Sequence, residues 1–331
     1  MKFIEKKYMK LSILEKQKYV KFIKDKFEKE LAKTLKLTRV SAPLLVTRES
    51  GLQDDLSGVE RVVSFDIAKD GAELEIVQSL AKWKRFALSK YGFEPGSGLY
   101  TDMTAIRRDD KVDETHSIYV DQWDWEKVIT TKDRTIEFLK KTVKKIVKAI
   151  SKTSDFVKQK GFDGVTISKD VFFVTSEELL QMYPDSTDKE REYEITKKYK
   201  TVFIMQIGDT LSDGKPHDKR APDYDDWSLD GDLLFYHEVL DTALEISSMG
   251  IRVDKTSLLY QLEKADCLDR LAFDYHKQIV DEKLPLSIGG GIGQSRLCML
   301  LLGRAHIGEV QASYWDKDTL KKCKMQKIEL F

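Results

Sequence analysis

Between Arg220 and Asp232 the chain reads RAPDYDDWSLDGD. Asp223, Asp225, Asp226, Asp230 and Asp232 crowd into ten positions there, and Glu245 follows. So many like charges repel unless they lie in solvent or face something cationic. The plainer reading is a surface loop. The sharper one is a Mg²⁺ site, because aspartate and glutamate oxygens hold Mg²⁺ together with nucleotide phosphates. Tyr224 and Trp227, interleaved with the acids, suit a fully solvated loop poorly. A second feature is SIGGGIGQSRL, a glycine-rich turn with Arg296 close behind it on an apolar helix. Glycines let backbone approach a flat or charged ligand, and a guanidinium stacks on an aromatic base or meets phosphate. A tight strand-to-helix turn with an ordinary arginine salt bridge accounts for the same residues equally well.

The familiar nucleotide signatures are absent. No GxxxxGK[ST] occurs, so there is no Walker-type phosphate loop. The run from Gly289 to Gln294 lacks the third glycine of a dinucleotide fingerprint. No HRD or DFG, no HExxH and no GxSxG is present.

Around these residues the pattern predicts a long helix over Leu11–Leu37, with Tyr19, Ile23, Phe27, Leu31 and Leu35 recurring every four residues. A short extended stretch ends at Pro43. Strands are predicted at Arg61–Phe65 and Glu73–Val77, with a compact helix after Ser79. Leu99–Arg107 and His116–Trp125 read as an antiparallel hairpin, whose second arm alternates and turns Trp123 and Trp125 to the packed side. A helix over Arg134–Lys152 follows, then strands at Val171–Thr175, Val202–Ile207 and Leu233–Tyr236. Thr175 and Glu178 are spaced as a capping box. LEISSMGIRV reads as a strand with a turn, and Leu268–Val280 as a helix. Hairpins and helices without regular β-α-β alternation predict an α+β fold, an antiparallel β-sheet flanked by helices.

The totals agree with one globular unit. The chain has 331 residues, 41% hydrophobic and 34% charged. No apolar run is long enough for a membrane span, and no signal core follows the basic N-terminus. Three scattered cysteines, without a CxxC pair, disfavour zinc and disulfides and make the cytoplasm the default compartment. Net charge is zero, but residues 1–40 hold twelve Lys and one Arg against five acids. That excess reads as a solvated helix face or as an RNA-facing surface. The overall balance does not indicate a nucleic-acid protein.

Longer stretches carry a family resemblance. QDDLSG at Gln53–Gly58, SLAKWKR at Ser79–Arg85, GLYTDM at Gly98–Met103, SIYVDQWDWE at Ser117–Glu126, RAPDYDDWS at Arg220–Ser228, EISSMGIRV at Glu245–Val253 and IGGGIGQSRL at Ile288–Leu297 resemble the ammonia-dependent asparagine synthetases. That family, the aspartate–ammonia ligases, is similar to the catalytic cores of class II aminoacyl-tRNA synthetases. The likeness implies a class II synthetase-like sheet. The first helix and the strand ending at Pro43 would lie at a homodimer interface, the hairpin would form the second class motif, and the Arg296 segment the third. Between Trp227 and Gly231 the chain has only SLD, shorter than in some members.

The implied reaction is ATP-dependent amidation of L-aspartate by ammonia, through a β-aspartyl-adenylate, releasing AMP and pyrophosphate. Positive groups must let one anion approach another. Arg107 is the candidate for the α-phosphate and reacting carboxylate, because its fork matches those oxygens. Arg296 would stack on adenine beside Gly291 and Gly293, and Asp232 and Glu245 would hold Mg²⁺. Asp54, Gln122 and Asp124 are candidates for the substrate ammonium, and Ser79 and Lys84 for a carboxylate, joined by Ser248 and Arg252. Asp225 would hold the amino acid or the incoming nitrogen. Ammonia must attack unprotonated, and a carboxylate can take ammonium's proton. Met1 is followed by Lys2, so no N-terminal cysteine offers a glutaminase, and free ammonia is the expected donor. The rival readings are a tRNA synthetase, for which no anticodon-binding domain is evident, and a non-catalytic relative that should have lost these ligands.

Overall fold

The stripe expected over Leu11–Leu37 forms helix α1, Ile13–Leu35, in a computed structural model that describes residues 11–331 apart from Ser57 and Asp163. Residues 1–10, with the basic N-terminal stretch and the Met1–Lys2 start, lie outside the described residues. A capping box between Ser12 and Glu15 starts α1, and Ile23, Phe27, Leu31 and Leu35 bury its inner face. The chain continues as β1 (Leu37–Arg39), β2 (Leu45–Val46), β3 (Val63–Asp66), β4 (Glu73–Ile76), α2 (Ala81–Lys90), β5 (Gly98–Ile106) and β6 (Tyr119–Val128). After these come α3 (Ile136–Gln159), β7 (Phe172–Thr175), α4 (Ser176–Met182), α5 (Asp188–Tyr199), β8 (Thr201–Met205), β9 (Asp225–His237) and β10 (Thr242–Arg252). The last elements are α6 (Lys255–Lys264), α7 (Asp274–Val280), β11 (Ser287–Gly293), α8 (Gln294–Leu302) and α9 (Lys317–Met325).

The main sheet has strand order β1-β5-β6-β11-β10-β9-β8-β7, and β2, β4 and β3 form a separate small sheet. Its interior is antiparallel, as expected, but the edge strands β1 and β7 pair in parallel with β5 and β8. The extended stretch around Pro43 is thus two strands in two sheets, with the proline in the unpaired link between them.

Trp123 and Trp125 are buried against the helix-covered face, with Phe27 packed 4.8 Å from Trp123 between ring centroids. Residues 122, 124 and 126 of β6 therefore point to the other face. Cross-strand register sets Asp124 beside Gly291, Gly291 beside Ser248, and Ser248 beside Asp232. A second row runs Glu126, Gly289, Gly250, Asp230. The central strand β11 thus presents bare backbone between rows of polar side chains.

Three expectations change. The glycines are not a turn. Gly289, Gly290, Gly291 and Gly293 lie within β11, and the turn to α8 is immediate. LEISSMGIRV is one strand with two register shifts rather than a strand with a turn. The helix expected over Leu268–Val280 is a short 3-10 turn and α7, separated where Phe273 takes an extended conformation.

Candidate active site

The polar face of β6, β11 and β10 forms the floor of a cavity of about 280 Å³, walled by α2, by Asp54, Leu56 and Glu60, and by residues 219–221 and 224–225. Asp54, Ser79, Lys84, Arg107, Gln122, Asp124, Asp225, Glu245, Ser248, Arg252 and Gly291 all line it. A neighbouring cavity of about 450 Å³ contains Gly293 and Arg296. The two share Arg107, Asp110, Gln122, Glu245 and Gly291. Of the residues given a role in the expected reaction, Asp232 alone lines neither; Asp223, Asp226, Trp227 and Asp230 of the acidic stretch also lie outside both.

Register explains why glycine occupies β11. A β-carbon on Gly291 would stand 2.3 Å from Gln122 Oε1 and 2.7 Å from Asp124 Oδ1. Gly290 faces the helix side, and its carbonyl accepts a 2.9 Å hydrogen bond from Lys84 Nζ. Lys84, on helix α2, is not the solvated lysine its charged surroundings suggest; it is buried, 3.4 Å from Asp124 Oδ1. Burial pushes its ammonium below the usual lysine range, with Asp124 opposing.

Arg252 is clamped rather than open. Its Nε and Nη2 donate to Glu126, and its Nη1 to Asp225 Oδ1. Burial works against its charge, but Asp225 and Glu126 outweigh that and hold it protonated. Asp225 itself is raised by burial, with Arg252 opposing.

Asp54 differs from these. Its Oδ2 accepts the Ser79 hydroxyl at 2.5 Å and its Oδ1 the Leu56 amide at 2.9 Å. It is buried, and of Asp54, Asp124 and Asp225 it alone has no basic side chain at ion-pair distance among the described residues. Burial raises its carboxyl above the ordinary range, and the Lys82 ammonium opposes. Arg107, just past the end of β5, has the converse vacancy: its Nε donates to the Gln78 carbonyl at 3.1 Å, and no described carboxylate pairs with it. Arg108 beside it is exposed.

At the second cavity Arg296 donates through Nη1 to the Glu245 carbonyl at 3.1 Å and stands 4.0 Å from that residue's carboxylate. Burial raises Glu245, but Arg296 and Arg220 outweigh it and the net shift is downward. Asp232 Oδ2 pairs with Arg220, while its Oδ1 is buried with no hydrogen-bond partner. Burial pushes its carboxyl up to about 6, Arg220 opposing and Glu245 reinforcing. An orphaned buried carboxylate oxygen that feels a second carboxylate fits a cation. No group of three or more His, Cys, Asp or Glu among the described residues forms a cage, so the set suits Mg²⁺, which takes one or two carboxylates and completes its shell with phosphates and water.

The acidic stretch is not a surface loop. Its five aspartates are all buried. Asp223 pairs with Lys82, Asp225 with Arg252, Asp226 with Arg134 and Asp232 with Arg220, and Asp230 Oδ1 accepts the Ile207 amide. Sequence reasoning left several participants without a role. Glu126 continues the alternation of Gln122 and Asp124, and that signal was sufficient to find it. Arg220, Tyr224, Asp110 and Glu60 line the cavity through loops whose course no local pattern reveals.

The sheet order and its flanking helices give the fold of class II aminoacyl-tRNA synthetase catalytic domains. The asparaginyl-tRNA synthetase of Entamoeba histolytica, in complex with asparaginyl-adenylate, superposes with a TM-score of 0.68 over 92% of this chain and 68% of that chain, at 15% identity. The Pyrococcus horikoshii asparaginyl-tRNA synthetase complexed with asparaginyl-adenylate gives 0.62 over 89% and 68%, at 16% identity.

Sequence relatives narrow the class. The aspartate-ammonia ligase family model matches residues 14–327. The aspartate–ammonia ligase of Ruminiclostridium cellulolyticum is 55% identical, over 94% of this chain and 93% of that protein. That of Clostridium perfringens is 54% identical over 99% and 98%. This chain belongs to the aspartate–ammonia ligase family. No helix among the described residues is long and apolar enough to cross a membrane.

Proposed function

We propose that the chain carries out its family's reaction, the ATP-dependent conversion of L-aspartate and ammonia to L-asparagine, through a β-aspartyl-adenylate with release of AMP and pyrophosphate. The observation that carries this reading is the shared wall of the two cavities, where Arg107, Gln122, Glu245 and Gly291 face both. A polar cavity on one side suits a small charged amino acid. The larger one, with Arg296 at its edge, suits ATP.

Arg107, which pairs with no described carboxylate, receives the α-phosphate as charge develops there. Arg296 lies against adenine beside Gly293. Gln122 and Asp124 take the substrate ammonium, and Lys84, Ser79 and Ser248 take its carboxylates. Arg252 acts through Asp225, which it holds in place at the amino-acid cavity. Asp232 and Glu245 would hold Mg²⁺, which when bound neutralises the phosphate oxygens. Asp54, which has no described basic side chain at ion-pair distance, receives the incoming ammonium and takes one proton from it. The freed ammonia attacks the acyl carbon, the C–N bond forms, AMP departs with the electrons of the C–O bond, and the new amide nitrogen releases its second proton to solvent. The chain works as a single catalytic domain, pairs as a homodimer through α1 and β1, and resides in the cytoplasm, where its three free cysteines remain reduced.

Incubation with aspartate, ATP, Mg²⁺ and ammonium should yield asparagine, AMP and pyrophosphate together. ADP with inorganic phosphate would overturn the adenylate, and equal activity with glutamine in place of ammonium would overturn free ammonia as donor.

A further inference from the structure

One arginine joins the amino-acid cavity to the carboxylate assigned to Mg²⁺. Arg220 lines the smaller cavity and not the larger one, whereas Asp232 lines neither. Ser248, the cross-strand neighbour of Asp232, and Glu245 do line the smaller cavity, so Asp232 sits one strand beyond its floor. Arg220 is the cavity-lining group bonded to it, through a single nitrogen: Nη2 donates to Asp232 Oδ2. Among the described residues Nε and Nη1 of Arg220 make no hydrogen bond, and no second carboxylate lies at ion-pair distance from it. The other oxygen of Asp232, Oδ1, is buried without a partner.

Arginine–carboxylate pairs hold most firmly as two-point forks, and this one uses a single point. A divalent cation on Asp232 and Glu245 would set like charge against Arg220. An arginine stripped of its partner in a largely buried place is costly, so Arg220 needs another anion when it gives up Asp232. The acidic side chains of the cavity floor do not supply one: Asp124 is taken by Lys84, and Asp225 by Arg252. The cavity that Arg220 lines is the one that suits substrate aspartate, which brings two carboxylates.

We propose that Arg220 is an exchangeable counter-ion: it holds Asp232 until aspartate binds, then passes to a substrate carboxylate and leaves Asp232 to the divalent cation. Aspartate and the cation thereby promote each other's binding through one side chain, and by the same factor in both directions. The inference rests on the metal-holding role of Asp232 and Glu245 proposed above.

Binding of Mn²⁺, which takes the same oxygen ligands as Mg²⁺ and is followed by the spin resonance of the free ion, tests this without turnover. In the unmodified chain, saturating L-aspartate should tighten Mn²⁺ binding by about tenfold. Without aspartate, Arg220→Met should bind Mn²⁺ about tenfold more tightly than the unmodified chain, and adding aspartate should then change it by less than about threefold. Arg220→Lys, which keeps a cation beside Asp232, should bind Mn²⁺ as weakly as the unmodified chain when aspartate is absent. AMP in place of aspartate should not reproduce the tightening; if it did so in aspartate's stead, transfer to a carboxylate would be overturned. A merely structural Arg220 predicts the opposite result, weaker Mn²⁺ binding in Arg220→Met with and without aspartate, and that would overturn the proposal. So would the absence of any aspartate effect on the unmodified chain, which decides the matter even where Arg220→Met does not fold. Equal Mn²⁺ binding by Asp232→Asn and the unmodified chain would instead defeat the metal role of Asp232. Weaker binding in Asp232→Asn with no gain in Arg220→Met would defeat the exchange alone.

Discussion

Arg252 reaches over the central strand to grip Glu126. Its Nε lies 2.9 and 3.1 Å from the two carboxylate oxygens and its Nη2 2.7 Å from Oε2. The residues sit on β10 and β6, with Gly289 of β11 between them. A β-carbon on Gly289 would stand 1.8 Å from Glu126 Oε2 and 2.6 Å from Arg252 Nη2. Both side chains are buried, so removing one leaves the other an uncompensated charge. Arg252→Met should cost about 3–5 kcal/mol in urea unfolding. Gly289→Ala should be at least as damaging, because neither partner can withdraw.

Gly291 tests the floor without touching that clamp. Its added methyl group would press on Gln122 and Asp124, whereas at Gly293 the nearest atom is Arg296 Cβ at 3.3 Å. A displacement of about 1 Å in positioning groups costs about 10²-fold. Gly291→Ala should therefore lower kcat/KM for aspartate by about 10²-fold, and Gly293→Ala by far less. Steady-state kinetics with aspartate varied at saturating ATP checks the difference.

Asp232 links pH, metal and stability. Its folded carboxyl stands near 6, above the ordinary 3.8, so the folded chain holds this proton more tightly than the unfolded chain does. The stability it contributes is full below about 3.8 and is lost as pH rises through about 6. A cation on the ionised carboxylate compensates for that loss. Mg²⁺ with ATP should raise Tm more at about pH 7.5 than at about pH 5, and the difference should vanish in Asp232→Asn. Thermal melts at the two pH values measure it.

Much of the site was legible because alternation along a strand is local. Gln122 and Asp124 on one face, with Trp123 and Trp125 on the other, follow from the hairpin's period of two. The Thr175–Glu178 capping box is likewise where spacing places it. The glycines were misread as a turn because what demands them is tertiary: carboxylates of neighbouring strands occupy the space a β-carbon would need. The acidic stretch hid its burial for the same reason, since the basic partners lie far along the chain, Arg252 27 residues from Asp225 and Arg134 92 from Asp226. Helix α5 went unread because DKEREYEITKKY lacks a clear apolar stripe, although Thr187 and Glu190 form a capping box. The edge strands β1 and β7 gave no sign of parallel pairing, which depends on distant segments.

The central claim is that the aspartate carboxylate and the α-phosphate meet at Arg107 and join before nitrogen arrives. Aspartate labelled with ¹⁸O in its β-carboxylate tests it directly. When ammonia displaces AMP from the acyl carbon, the bridging oxygen leaves with the phosphate. One ¹⁸O should appear in AMP for each asparagine formed, read by mass spectrometry, and Arg107→Ala should lower the rate by about 10²–10³-fold. Label in inorganic phosphate, or unlabelled AMP, would contradict the account.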